Sequence, residues 1–202
     1  HVYGLDFSAD GARLASASAD KTVRLWNTGD GANYATSEGH TAPVYGVAFH
    51  PTAEQLASAG ADKTLRLWSA ADGAQLKEIT AGIAAGLYTV DYAPDGSRLV
   101  FGGLSKAWQF LPADADEPQP AVAGHDDQIY RAVFSPDGRR LATIGYSGNL
   151  FIWDAETSEV LHRETLPVQA AFSVAYSPDG SELAIATSDA RVLLLPVPDA
   201  AR

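Results

Sequence analysis

The chain has 202 residues, 14 of them Lys or Arg and 25 Asp or Glu, for a formal net charge of −11. This excess of carboxylates repels phosphate backbones, which argues against nucleic acid as a partner and favours basic protein surfaces. Cysteine is absent, which excludes disulfides and thiolate metal sites, and no apolar run approaches the roughly 20 residues that a membrane helix needs.

The predicted elements are short strands from the start. The chain opens inside one, HVYGLDF at 1–7, which leads through Asp10-Gly11 to an apolar run beginning at Leu14. The next copy is the clearest: VYGVAF (44–49), a turn, LASAG (56–60), the tight turn Ala61-Asp62-Lys63, TLRLW (64–68), the turn Ala71-Asp72-Gly73 and AQLKEI (74–79). Branched and aromatic residues suit a pleated sheet, and tight turns between the runs make four short antiparallel strands. The pair Asp-Gly returns at 95–96, 137–138 and 179–180, while Thr52-Ala53 stand where one copy has lost it. The leucine after each turn fixes the period: Leu14, Leu56, Leu99, Leu141 and Leu183, at spacings of 42, 43, 42 and 42. The repeats run over approximately 1–38, 39–80, 81–123, 124–165 and 166–202. In the third, PADADEPQP (Pro112 to Pro120) is acidic and proline-rich and reads as a solvated loop before a short outer strand. The fifth ends on RVLLLPV, and Pro196 and Pro198 discourage a further central strand. Five sets of three inner strands but only four outer strands are therefore expected. A β-sandwich has no reason to repeat its sequence at constant spacing. A radial array of four-stranded sheets does, so the fold class is all-β, a β-propeller.

The best repeat runs from Gly39-His40 to Leu67-Trp68, with Ser69 following, and the fourth from Gly124-His125 to Trp153-Asp154. With these residues the chain resembles the WD40-repeat family over essentially its whole length. FSPDGRRLAT (134–143) and ADKTLRLW (61–68) look like the bacterial branch. The resemblance implies a ring of seven blades, so that five repeats would be the C-terminal part of a longer chain, with about two blades and one strand before His1. It also implies a buried hydrogen-bonded tetrad in each well-formed blade: His40, Ser58, Asp62 and Trp68 in the second; His125, Thr143, Ser147 and Trp153 in the fourth, with a hydroxyl for the carboxylate; Ser16, Asp20 and Trp26 in the first. The third repeat departs from it with Ile83, Phe101, Ser105 and Phe110, and the fifth with Pro167, Ile185, Asp189 and Leu195. These two blades are expected to be held by apolar packing alone.

His, Ser and Asp together invite a catalytic-triad reading, but the Ser lies in mid-strand, away from any strained turn or oxyanion hole. The set also fades from blade to blade, as a structural motif does. The five histidines (His1, His40, His50, His125, His162) show no metal-ligand spacing. No cofactor and no metal are expected. One inner-strand position is aromatic in every repeat: Tyr3, Tyr45, Tyr88, Tyr130 and Phe172. In the family this position lies near the channel rim on the face that commonly takes partners, where the rings either fill space at the channel mouth or form an amphipathic ring for a partner. The residues two before it, His1, Pro43, Gly86, Gln128 and Ala170, are expected to border the same surface. The function that follows is a non-catalytic scaffold for protein–protein interaction, soluble in cytoplasm or periplasm. Two other readings are a structural module joined to an upstream redox (haem) or catalytic domain, and an enzyme or small-ligand site in the channel.

Overall fold

The structure is a computed structural model that describes residues 1–198. Its first blade is β1 (Val2–Phe7), β2 (Arg13–Ser18), β3 (Val23–Asn27) and β4 (Asn33–Ser37). The second is β5 (Val44–Phe49), β6 (Gln55–Gly60), β7 (Leu65–Ser69) and β8 (Gln75–Ile79). The third is β9 (Leu87–Tyr92), β10 (Arg98–Gly103), β11 (Ala107–Pro112) and the two-residue β12 (Val122–Ala123). The fourth is β13 (Ile129–Phe134), β14 (Arg140–Gly145), β15 (Asn149–Asp154) and β16 (Val160–Thr165), and the fifth is β17 (Ala171–Tyr176), β18 (Glu182–Thr187) and β19 (Val192–Pro196). Each blade is an antiparallel meander with the first strand innermost; four have four strands and the fifth, among the described residues, has three. The all-β propeller read from the repeat is thus the architecture found. No helix of the described residues is long and apolar enough to cross a membrane.

Local chemistry explains the turns. Gly11, Gly96, Gly138 and Gly180 adopt φ of 68°, 72°, 71° and 73° in the first turn of their blades, a left-handed conformation that costs glycine nothing. The tip between second and third strands also turns left-handed in every blade, at Lys21, Lys63, Lys106, Gly148 and Ala190.

The core is not central. Four apolar clusters lie between successive blades. Ala17, Leu25, Val47 and Trp68 belong to the one joining the first two, and Leu65, Ile79, Leu99 and Phe101 to the next. Trp108, Phe110, Phe134 and Trp153 fill the third, and Ile144, Ile152, Val174 and Ile185 the fourth. A sheet buried on both faces needs apolar residues on both, which is why inner and middle strands read as nearly continuous apolar runs.

The inner strands lie side by side, β1 against β5, β5 against β9, β9 against β13 and β13 against β17, but β1 is not packed on β17. The five blades form an open arc. Leu5 of the first blade is 58% exposed where its counterpart Val47 is 1% exposed. At the other end Leu194 is 64% exposed where Ile152 is 2%. Val2 and Phe7 beside Leu5, and Val192 beside Leu194, are bare in the same way.

The loop Pro112 to Pro120 differs from a free solvated loop. Lys77 Nζ donates to the carbonyl of Ala115 at 2.6 Å and pairs with Asp116 at 2.6 Å, fastening it to β8.

Candidate functional site

Two constellations deserve comparison as functional sites: the polar cluster inside the blades and the aromatic positions at the channel.

In the second blade, His40 leaves the loop before β5, Ser58 sits in β6, Asp62 in the turn after it and Trp68 in β7. His40 Nδ1 donates to both oxygens of Asp62 at 3.0 Å. Its Nε2 accepts from Ser58 Oγ at 2.7 Å, and Ser58 in turn accepts from Trp68 Nε1 at 2.8 Å. Thr64, which sequence reasoning left out, donates to Asp62 Oδ1 at 2.8 Å. Burial pushes the Asp62 carboxyl up, but hydrogen bonds from Thr41, His40 and Thr64 outweigh it and hold the group below the usual range. Burial drives the His40 imidazole down against the pull of Asp62. The residues are those of a hydrolytic triad, yet the serine is wholly buried and spends its oxygen on an indole. A hydroxyl so engaged cannot reach a substrate carbonyl. Asp62→Ala removes both carboxylate acceptors of the buried His40 Nδ1–H and leaves only Thr64 Oγ1, at 3.1 Å, within its reach. The expected cost is about 1–3 kcal/mol, read from urea unfolding; an unchanged midpoint would refute the role given to this carboxylate.

In the fourth blade His125 Nε2 meets Thr143 Oγ1 at 2.7 Å and Trp153 Nε1 donates to the same oxygen at 2.8 Å. Ser147 does not take the place of Asp62. Its Oγ accepts from Asn149 Nδ2 at 3.0 Å and its backbone N–H donates to Asp127 Oδ2. Asp127, two residues past the histidine, brings a carboxylate to this turn from the loop side but makes no hydrogen bond to His125. A Cβ on Gly145 would lie 2.2 Å from Asp127 Oδ1 and 2.9 Å from His125 Nδ1, as one on Gly60 would lie 2.4 Å from both Asp62 Oδ1 and His40 Nδ1, so both blades need glycine there. His125 Nδ1 and Asp127 Oδ1 are buried without a hydrogen-bond partner among the described residues. Burial lowers the His125 pKa to about 4. The unfolded chain, with a histidine near its ordinary value, binds more protons than the fold between pH 4 and 6.5. The contribution of neutral His125 is therefore full above pH 6.5 and falls away towards pH 4, by on the order of 3 kcal/mol. The stability difference between wild type and His125→Gln, followed by urea unfolding across that window, should shrink by this amount. A pH-independent difference would contradict it.

The first blade keeps Trp26 Nε1 on Ser16 Oγ at 2.9 Å, while Asp20 turns to Thr22 and Arg24. In the third, register corrects the sequence alignment. Leu99 faces Leu111 as Leu56 faces Trp68, so Leu111 and not Phe110 holds the tryptophan position. Phe110 lies on the opposite face, in the next inter-blade cluster. Nor is the third blade held by apolar contacts alone. Asp91 Oδ2 accepts from Phe134 N at 2.8 Å, and Thr89 Oγ1 accepts from Ala132 N at 3.1 Å. Asp6 does the same two blades earlier, accepting from Phe49 N at 2.6 Å. These side chains satisfy amides on the channel edge of the following inner strand, which has no sheet neighbour there. In the fifth blade Thr187 donates to Asp189, and Arg191 pairs with the same carboxylate.

The aromatic positions converge. Tyr3, Tyr45, Tyr88, Tyr130 and Phe172 alone line a cavity of about 440 Å³. Successive ring centroids are 4.8, 4.9, 5.3 and 5.9 Å apart, and Tyr146 joins the series at 5.5 Å from Tyr130. Close approach of the inner strands makes this possible: a Cβ on Gly4 would stand 2.7 Å from the Tyr45 carbonyl. Tyr3 and Phe172 are about half exposed, and the three between them are partly so. Of the bordering positions, Pro43, Gly86, Gln128 and Ala170 receive backbone N–H groups of the turns after the second strands, and His1 does so in the first blade. Among the described residues no group of three or more His, Asp or Glu is arranged to hold a metal ion.

The model for the WD domain, G-beta repeat, matches residues 1–27, 31–69 and 117–154, just over half of the chain. The chain belongs to the WD40-repeat family. No curated protein sequence matches it significantly. Among solved structures it is similar to the crystal structure of the WD40 beta propeller domain of Doa1, at 21% identity and a TM-score of 0.82. That likeness shows the shared fold. It covers 91% of this chain and 60% of the other, so the chain spans well under two thirds of that WD40 structure.

Proposed function

We propose that the chain is a non-catalytic WD40 scaffold for protein–protein interaction, and that the aromatic collar is its partner surface. The single observation that carries this reading is the convergence of one aromatic from each of five blades on one accessible cavity. Tyrosine buries much area while its hydroxyl stays hydrated, which suits a surface that is alternately wet and covered. The His, Ser and Asp of the blades are in this reading a structural network, because their polar atoms are spent on one another. The bare apolar faces at the two ends of the arc support a second element of the proposal: the five blades work as part of a larger ring. Each bare face has the composition of a face that a neighbouring blade covers elsewhere in the arc.

Capture of protein partners by immobilised chain tests the reading. Tyr45→Ala with Tyr130→Ala should weaken capture by at least about 2 kcal/mol, some thirtyfold. Undiminished capture by the double variant would place the partner surface elsewhere.

A further inference from the structure

The collar has features that select one kind of occupant. No two of its neighbouring rings are parallel: interplanar angles are 44°, 82°, 46° and 58° along the series. No ring face is covered by a stacked neighbour, although Tyr45 and Tyr88 meet edge to face, and all five rings line the shared cavity and are at least partly exposed. Such faces carry the negative lobe of the quadrupole and attract cations. No Lys or Arg lines the cavity.

Deeper in the channel wall the charge is also negative. Asp6 and Asp91 stand three residues beyond Tyr3 and Tyr88 on the same inner strands, about 10 Å further along at the rise of a strand. Their hydrogen bonds to Phe49 N and Phe134 N pin both carboxylates to the following blade. Burial raises the pKa of both carboxyls, that of Asp91 to about 6, and Arg131, next to Tyr130, opposes the rise in each, so both are chiefly ionised at neutral pH. Two anchored carboxylates against one guanidinium leave the wall net negative, within a chain of formal charge −11.

Resting on the reading of the collar as the partner surface, we propose that its occupant is an arginine side chain on an extended segment of the partner protein. The guanidinium lies over the tyrosine faces and is drawn inward by Asp6 and Asp91. Arginine fits better than lysine because its planar, weakly hydrated head stacks on aromatic rings and gives up less solvation on entry. A neutral apolar side chain could fill the same volume but would gain nothing from the carboxylates.

The probe is acetyl-Gly-Gly-Arg-Gly-Gly-amide, titrated against the 202-residue chain while collar ring resonances are followed by NMR. The arginine peptide should shift the rings of Tyr45, Tyr88 and Tyr130 with a dissociation constant in the millimolar range. The citrulline, norleucine and lysine versions should bind about tenfold more weakly. Asp91→Asn should weaken the arginine peptide about threefold and Arg131→Gln should tighten it by a similar factor, with unfolding midpoints recorded to show that both variants fold. Equal binding of the citrulline or norleucine peptide would overturn the cationic occupant, and equal binding of lysine would overturn arginine. Absence of any collar shift at saturating peptide would also overturn it. None of these outcomes touches the broader reading, which fails only if Tyr45→Ala with Tyr130→Ala keeps the whole protein partner.

Discussion

Trp68→Ala should destabilise the chain by about 3–5 kcal/mol. Trp68 is 1% exposed, belongs to the cluster that joins the first two blades, and ends the hydrogen-bonded chain from Asp62 through His40 and Ser58. Its removal leaves a large cavity that the second sheet cannot move to fill, since that sheet is held by the third blade on its other face. It also takes the donor from a fully buried serine oxygen. Trp26 makes the same bond to Ser16, but the first blade has no neighbour over it. Trp26→Ala should therefore cost clearly less. Equilibrium urea unfolding of the two variants checks both statements, and equal losses would contradict the link between blade cover and stability.

The second large effect concerns the ends of the arc. Val2, Leu5 and Phe7 at one end, and Val192 and Leu194 at the other, are exposed apolar side chains on sheet faces. Each stands to gain about 1.5–3 kcal/mol on full burial. The two faces are opposite halves of the interface that joins neighbouring blades, so they can pair head to tail between copies. Sedimentation of the 202-residue chain should show self-association that grows with concentration. Leu5→Glu and Leu194→Glu, one at each end, should each stop growth, and a mixture of the two variants should stop at dimers. A single monomeric species at high concentration would contradict this account of the faces.

The reading from sequence succeeded where periodicity carried it. Leucines at spacings of 42 or 43 mark equivalent points of successive blades, and the inner-strand aromatics fall on one cavity because the same spacing places them on one rim. It failed where a role passed to a residue outside the periodic frame. Asp127 brings a carboxylate to the turn of the fourth blade from the loop side and takes the Ser147 amide, which the expectation drawn at Ser147 missed. The available signal was an acidic residue two past the histidine, where the second blade has Ala42. The slip between Phe110 and Leu111 has a related cause. The third blade has no serine–tryptophan pair to fix the register, since Phe101 and Leu111 stand at those positions. The inter-blade bonds of Asp6 and Asp91 were equally invisible, because a single aspartate in a strand gives no sign of which neighbouring amide it will meet.

Whether the collar serves binding or packing is tested most directly by measuring stability and partner affinity on the same protein. For Tyr45→Ala with Tyr130→Ala, the expected result is a loss of partner affinity of at least about 2 kcal/mol. Its unfolding midpoint should move much less than that of Trp68→Ala. A double variant that unfolds as readily as Trp68→Ala yet binds its partner undiminished would show that the tyrosines are packing residues and that the partner surface lies elsewhere.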